Sequence, residues 1–161
     1  PTAGPTAAGP TAPTTYTTPS TPTVTIFIVP LQITEVSAGT DVSSDDEFIE
    51  LYNPNSVAVD LTGYSIKKKT SSGSESTLVS EARLNGKSIP AGKHFLIGHD
   101  EGYKGSVPAD ATWAKSNDLA YTNNTVILYD ANGAKVSEVS WVKIEKGQST
   151  LGAPTPQNSS Q

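Results

Sequence analysis

The stretch EFIELYNPNSVAVDLTGYSIKKK (47–69) decides the fold class. Short runs rich in β-branched, aromatic and alternating residues are typical of β-strands, and turn residues between such runs indicate where strands end. The turn signals in this stretch are Asn53-Pro54-Asn55 and Thr62-Gly63. They separate three runs of strand length: EFIELYN (47–53), VAVDL (57–61) and GYSIKKKT (63–70). The stretch therefore predicts three consecutive strands joined by tight turns.

Runs of the same kind lie on both sides of this stretch. They are TVTIFIV (23–29), LQITEV (31–36), STLVS (76–80), KHFLIG (93–98), NTVILYD (124–130) and AKVSEVSW (134–141). About nine short strands result, and such a pattern predicts an all-β sandwich or barrel. The one stretch that favours a short helix is Ala109 to Asp118, around Trp113.

Four pieces of the sequence resemble the lamin tail domain family in its bacterial and archaeal form. They are EFIELYNPNSVAVDLTGYSIKKK (47–69), IPAGKHFLI (89–97), the region of Trp113, and NTVILYDANGAKVSEVSW (124–141). They occur in the family's order and cover about residues 31–142. The resemblance implies an immunoglobulin-like β-sandwich, in agreement with the strand count, and it implies little chemistry.

Composition divides the chain into four parts. The first thirty residues carry no charged side chain, which predicts a boundary near residue 30. We expect an extended Pro/Thr-rich stalk or linker at 1–23, an extra apolar strand at 24–30, the sandwich at 31–150 and a tail at 151–161. The stalk is either a bare linker or carries O-linked sugar on its threonines, the candidates being Thr2, Thr6, Thr11, Thr14, Thr15, Thr17 and Thr18.

The extra strand is apolar on both of its faces. Val24, Ile26 and Ile28 share one face, whereas Phe27 and Val29 share the other. A solvated linker does not have this pattern, so we expect the strand to be covered on both sides. It either pairs within its own chain or adds to the sheet of a neighbouring copy, and the second arrangement builds filaments.

Charge and residue usage exclude several classes of partner and site. The net charge of −5 disfavours nucleic acid, and no apolar run is long enough to insert into a membrane as a helix. The absence of Cys excludes disulfides and thiolate metal sites. A chain that begins with Pro1 is expected to be a processed product or a fragment, and a cleaved secretory signal would explain it. We therefore expect an extracellular or cell-surface location.

Carboxylates gather at Asp41, Asp45, Asp46 and Glu47, just before a predicted strand. Such oxygen ligands on one loop could hold Ca²⁺. The spacing lacks the D-x-D-x-D-G pattern of a calcium loop, so a solvated acidic turn is the favoured interpretation. We expect no other cofactor.

The remaining candidate side chains favour structural roles. His94 and His99 are an odd number of residues apart, which places them on opposite faces of a strand. Glu50 shares a face with Phe48 and Tyr52 and is expected to be a partly buried acid with a hydrogen-bond partner. The six aromatic residues that could line a sugar platform are expected to pack in the core and hairpins instead: Tyr64, Tyr103, Trp113, Tyr121, Tyr129 and Trp141.

These patterns predict a protein that is not an enzyme, because no catalytic constellation is visible. We expect a secreted or cell-surface structural subunit that assembles with copies of itself into a filament, sheath or matrix, with glycans as a further class of partner. The alternative is an accessory binding or tethering module of a larger secreted enzyme.

Overall fold

The structure is a computed structural model that describes residues 28–152 of the chain. Within this range eleven strands and one short helix follow one another. The strands are β1 (Gln32–Ala38), β2 (Glu47–Tyr52), β3 (Val59–Asp60), β4 (Ser65–Lys69), β5 (Glu75–Val79), β6 (Ser88–Ile89), β7 (His94–His99), β8 (Ala111–Trp113), β9 (Thr122–Tyr129), β10 (Lys135–Lys143) and β11 (Ser149–Leu151), and the helix is α1 (Glu81–Leu84). In this part of the chain no helix has the length and apolar character needed to cross a bilayer.

Two main sheets form the sandwich. The first has the strand order β11-β1-β2-β7-β8 and the second has the order β10-β9-β4-β5, while β3 and β6 pair separately. Every pair is antiparallel except β7 with β8, which is parallel. The prediction of an immunoglobulin-like all-β sandwich is confirmed. Eight of the nine expected strands correspond to observed ones, and the ninth, at 23–29, lies mostly outside the described residues. The three further strands β6, β8 and β11 have two or three residues each, too few for a recognisable pattern.

Alternation along the strands builds the core between the two sheets. In β2, Glu47, Ile49 and Leu51 are buried while Phe48, Glu50 and Tyr52 are half-buried. The two-residue period of a strand puts alternate side chains on one face, so the inward face of β2 is apolar apart from Glu47. The other large, fully buried side chains are Leu31, Ile33, Leu61, Ile66, Leu84, Ile89, Ile97, Trp113 and Leu128.

The stretch predicted to favour a short helix, Ala109 to Asp118, contains the strand β8 instead. Asp110 explains why, because its side chain accepts the Leu96 N–H at 2.8 Å and its own N–H donates to the Leu96 carbonyl at 2.8 Å. These bonds align the following residues with β7, and Trp113 is carried into the core opposite His99. The helix prediction is wrong because this pairing to a distant strand outweighs a weak local preference.

The turn after β2 is a buried corner made of two asparagines. The Asn53 amide lies within 2.9 Å of the carbonyls of Val57 and Ile89. Its side-chain oxygen accepts the Asn55 N–H at 3.0 Å and the Asn55 amide at 2.8 Å. Asn55 in turn accepts the Val29 N–H at 2.7 Å and donates to the Val29 carbonyl at 2.9 Å. The corner therefore joins the incoming chain to β2.

The apolar run at 23–29 lies mostly outside the described residues. Its last two members, Ile28 and Val29, belong to no strand and are 55% and 49% exposed. Pairing within the same chain, one of the two arrangements expected for this run, is therefore not seen at these two positions. Val24, Ile26 and Phe27, the threonines of the stalk and most of the tail at 151–161 lie outside the described range.

Candidate functional site

Glu47 begins β2 with its side chain fully buried between the sheets. Its Oε1 accepts the Leu119 N–H at 2.8 Å, whereas its Oε2 is buried without a hydrogen-bond partner. Burial raises the pKa of Glu47 from 4.5 to about 8, and the charges of Asp118 and Asp45 act in the same direction. The Leu119 N–H and the charge of Lys68 oppose this rise. At neutral pH this carboxyl group is therefore mostly protonated in the folded chain.

His99 ends β7 directly across from Glu47, because the register pairs Phe48 with Gly98. The imidazole is buried and packs edge-on against Trp113, with ring centroids 6.0 Å apart. Its Nε2 lies 3.3 Å from Oδ1 of Asp118, close enough for an ion pair. Neither ring nitrogen has the alignment of a hydrogen bond to any described residue. His99 therefore has two buried nitrogens in need of partners.

Asp118 completes the cluster from the loop between β8 and β9. Its side chain is 63% exposed, and its main-chain carbonyl accepts a hydrogen bond from Lys68 Nζ at 2.6 Å. Glu47, His99 and Asp118 each offer one donor atom, and the three atoms lie within 4.8 Å of one another. We call these three residues the acid–imidazole cluster. Two of its members are buried, and the third connects it to solvent.

Glycine makes the tight cover over His99 possible. A Cβ atom at Gly102 would collide with His99 Nδ1 and with the main-chain oxygen of Asp45. The loop after β7 can therefore close over the imidazole only with glycine at this position. A surface depression lined by Ser43, Glu101 and Lys104 also reaches His99 at this point.

A second histidine–carboxylate pair lies on the opposite face of the same strands. His94 Nδ1 is 2.9 Å from Oε1 of Glu50, and the Thr34 hydroxyl donates to the same oxygen at 2.5 Å. The expectation of a partly buried Glu50 with a hydrogen-bond partner is confirmed. The placement of His94 and His99 on opposite faces is confirmed as well, since His99 turns inward to the acid–imidazole cluster.

The four carboxylates considered as a weak Ca²⁺ candidate do not form one group of ligands. Asp45 accepts a hydrogen bond from Ser44 at 2.7 Å, and Asp46 accepts the Lys104 N–H at 2.7 Å. Glu47 turns into the core, and Asp41 is exposed on the loop. Within residues 28–152 the one group of three metal-ligating side chains is the acid–imidazole cluster. Asp41, Asp45, Asp46 and Glu47 therefore give no shared ligand set in the described residues, and the solvated acidic turn stays the favoured interpretation.

Sequence reasoning missed the cluster because it counted Glu47 with the acids before it. The signal that could have found it is parity, since Glu47 shares its strand face with Ile49 and Leu51. Asp118 gives no such signal, because only the fold brings its loop to β7.

The aromatic residues do not form an exposed platform. Trp113 and Trp141 are buried, and each indole N–H donates to a main-chain carbonyl, that of Asn117 at 2.7 Å and that of Ala120 at 2.9 Å. Tyr64 and Tyr121 pack against the core. The expectation of core and hairpin packing is confirmed for these four residues.

Comparison with known proteins agrees with the fold. The family model described as Lamin Tail Domain matches residues 28–143, which is most of the chain and includes every member of the acid–imidazole cluster. No curated protein matches the sequence at a significant level. The chain belongs to the lamin tail domain family.

Proposed function

We propose that this chain is a non-catalytic structural protein, located outside the cell or on its surface, that assembles with copies of itself by strand donation. The donated strand is TVTIFIV (23–29), through Val24, Ile26, Phe27, Ile28 and Val29. The sandwich of the lamin tail domain family is a structural scaffold, which supports the non-catalytic part of the proposal.

One observation carries the proposal: the end of the apolar run is held in place yet left uncovered. Asn55 fixes Val29 through two hydrogen bonds to its main chain. Ile28 and Val29 are nevertheless about half exposed. Exposed apolar residues that continue an apolar run favour contact with another chain. The fixed point at Val29 gives the preceding residues a defined place from which to reach a neighbour.

Strand β10 of a second copy is the acceptor that fits best. Within the described range the end strands of the two main sheets are β5, β8, β10 and β11. Of these only β10, with nine residues, exceeds the seven-residue run in length. Near its start Ser137 is tied to the Ile33 N–H of β1, whereas Val142 near its end is 78% exposed. Main-chain hydrogen bonds along such an edge provide the affinity of strand addition.

Head-to-tail donation determines the kind of assembly. Each copy gives one strand and receives one, so the contact is heterologous and produces open filaments unless the rotation closes a ring. Glycosylated threonines between Thr2 and Thr18 would keep the stalk extended, with glycans as a second class of partner.

The experiment compares the full chain with a chain that lacks residues 1–29. We expect the full chain to form filaments in electron microscopy and high-mass species in light scattering, and the truncated chain to remain a folded monomer. Ile26→Asp should abolish assembly, because a charge cannot enter an apolar strand pocket. Thr17→Asp, which adds the same charge to the stalk, is the matched control and should assemble normally.

The acceptor edge has a matched pair of its own. Val142→Asp in β10 should block assembly, whereas Val107→Asp, at an exposed valine in a loop, should not. Filaments formed by the truncated chain would rule out strand donation. A full chain that stays monomeric would favour the tethering module of a larger secreted enzyme instead.

A further inference from the structure

Buried polar atoms without partners concentrate in one region of the described chain. The five such side-chain atoms in residues 28–152 are Gln32 Oε1, Glu47 Oε2, His99 Nδ1, His99 Nε2 and Tyr121 OH. Three of the five belong to Glu47 and His99, which face each other across β2 and β7. Each unsatisfied buried group costs about 1–3 kcal/mol, so a stable fold is expected to supply partners for them.

We propose that the acid–imidazole cluster, Glu47, His99 and Asp118, binds a first-row divalent transition-metal ion such as Zn²⁺. The cluster offers one imidazole nitrogen and two carboxylate oxygens. This donor set suits Zn²⁺ and its neighbours, whereas Ca²⁺ and Mg²⁺ prefer oxygen ligands alone. Three protein ligands leave at least one position for water.

One of the donor–donor distances matches such an ion directly. In a tetrahedral site with metal–ligand bonds of about 2.0–2.1 Å, neighbouring donor atoms lie roughly 3.3 Å apart. The Nε2 of His99 and the Oδ1 of Asp118 are 3.3 Å apart, and the third donor atom lies within 4.8 Å of both. Glu47 is held by the Leu119 N–H through Oε1, which leaves Oε2 free to act as a ligand.

The surroundings of the cluster combine access with positioning. Asp118 is the solvent-exposed member, which places one candidate ligand of the ion at the surface. Lys68 fixes the Asp118 loop, because its Nζ donates a hydrogen bond to the main-chain carbonyl of Asp118. Its positive charge also lies near the cluster and would repel a cation. Asp45 adds a negative charge near Glu47 that opposes Lys68. A bound cation would offset the repulsion between the buried Glu47 carboxyl group and the exposed Asp118 carboxylate.

The ion would join three different parts of the sandwich. Glu47 starts β2, His99 ends β7, and Asp118 belongs to the loop before β9 in the opposite sheet. A ligand that binds only the folded chain raises its stability by mass action. The proposed role of the metal is therefore to fix the two sheets to each other at this end of the sandwich.

The test uses the full chain, first stripped with a chelator and then titrated with ZnCl₂ in a calorimeter and with CoCl₂ in an absorption spectrometer. We expect one ion per chain, visible absorption bands of tetrahedral Co²⁺, and a higher melting temperature with either ion. Asp118→Asn should weaken Zn²⁺ binding by roughly tenfold or more. This residue is exposed and its loop is held through its main chain, so the variant is expected to fold.

Glu47→Gln is the second variant and keeps a hydrogen-bond acceptor for Leu119 while losing the charge. It should weaken Zn²⁺ binding at least as much as Asp118→Asn. His94→Gln is the matched control, because the chain has only two histidines and His94 already pairs with Glu50. Asp100→Asn is a second control, since this carboxylate neighbours His99 in sequence but lies near Arg83.

Two results would overturn the proposal. The first is a stripped chain that binds neither Zn²⁺ nor Co²⁺ at about 1 mM, a concentration far above the dissociation constant of a protein zinc site. This result would mean that water molecules satisfy the buried atoms. Binding that survives both Asp118→Asn and Glu47→Gln, or that His94→Gln abolishes, would place the ion elsewhere.

Discussion

Polar side chains are buried at both ends of strand β2, but only those at one end have hydrogen-bond partners for all their polar atoms. At the far end Asn53 and Asn55 use their side-chain oxygens and amide groups in hydrogen bonds to each other and to main-chain groups. At the near end Glu47 and the facing His99 leave three buried atoms without partners. Six residues along one strand separate a saturated network from an unsaturated one.

The difference teaches which buried polar groups build structure and which are available for chemistry. A saturated network specifies one arrangement, because every alternative leaves a donor or acceptor unpaired. An unsaturated pair retains capacity to take up a proton, a water molecule or an ion. The asparagine corner therefore stabilises one arrangement of the chain. The acid–imidazole cluster, in contrast, is available to bind a further group.

Raising the pH tests the unsaturated end most strongly. The pKa of Glu47 is raised from 4.5 to about 8, so its contribution to stability is fully present below about pH 4.5 and is lost as the pH rises toward 8. With chelator present, the free energy of unfolding should fall by on the order of 4 kcal/mol across this range, as measured by urea denaturation. In Glu47→Gln the fall should largely disappear. An equal dependence of the free energy of unfolding on pH in the two proteins would show that folding does not raise the pKa of Glu47.

Breaking the saturated end should cost nearly as much. Asn53→Leu keeps the volume but removes the partners of Val57, Ile89 and Asn55, so we expect a loss of about 3 kcal/mol in urea denaturation at any pH. The control is Asn132→Ala in an exposed turn, which should change stability by less than about 0.5 kcal/mol. A fully stable Asn53→Leu protein would contradict the structural role of the corner.

The saturated end could be read from the sequence better than the unsaturated one. Asn53-Pro54-Asn55 is a local turn signal, and the alternation of EFIELY places Ile49 and Leu51 in the core. These patterns act within a few residues, so the sequence displays them directly. The cluster depends on His99 and Asp118, which approach Glu47 only after β2 pairs with β7 and the loop from β8 to β9 passes between the sheets.

A milder change separates the corner from the segment that it holds. Asn55→Ala removes both hydrogen bonds to Val29, and we expect a stability loss of about 1–2 kcal/mol. Hydrogen exchange at the Val29 amide should become much faster while exchange in β2 stays slow. Unchanged protection at Val29 would mean that something other than Asn55 holds this segment.

The smallest effect is expected on the outer face, at His94. Its contact with Glu50 is partly exposed, and such pairs contribute little because water screens them. His94→Gln should change the free energy of unfolding by about 0.5 kcal/mol or less. A larger loss would show that the half-buried face of β2 carries a third polar network.

The strand β8 shows a further limit of sequence reasoning. Three residues, Ala111 to Trp113, are too few for a recognisable period, and their pairing partner β7 lies more than ten residues earlier. The parallel pairing arises because Asp110 bonds both main-chain groups of Leu96, a contact that no local pattern encodes.

The pairing of β1 with β11 has a mechanical consequence. The two strands are antiparallel, with Glu35 opposite Leu151 and Ser37 opposite Ser149, so the chain comes into β1 and goes out of β11 at the same end of one sheet. Tension between these two points loads the connecting hydrogen bonds one after another, as in opening a zipper, and not all together in shear. The three-residue β11 would peel away first, at low force, and would uncover the edge of β1 while β2 still holds its other side.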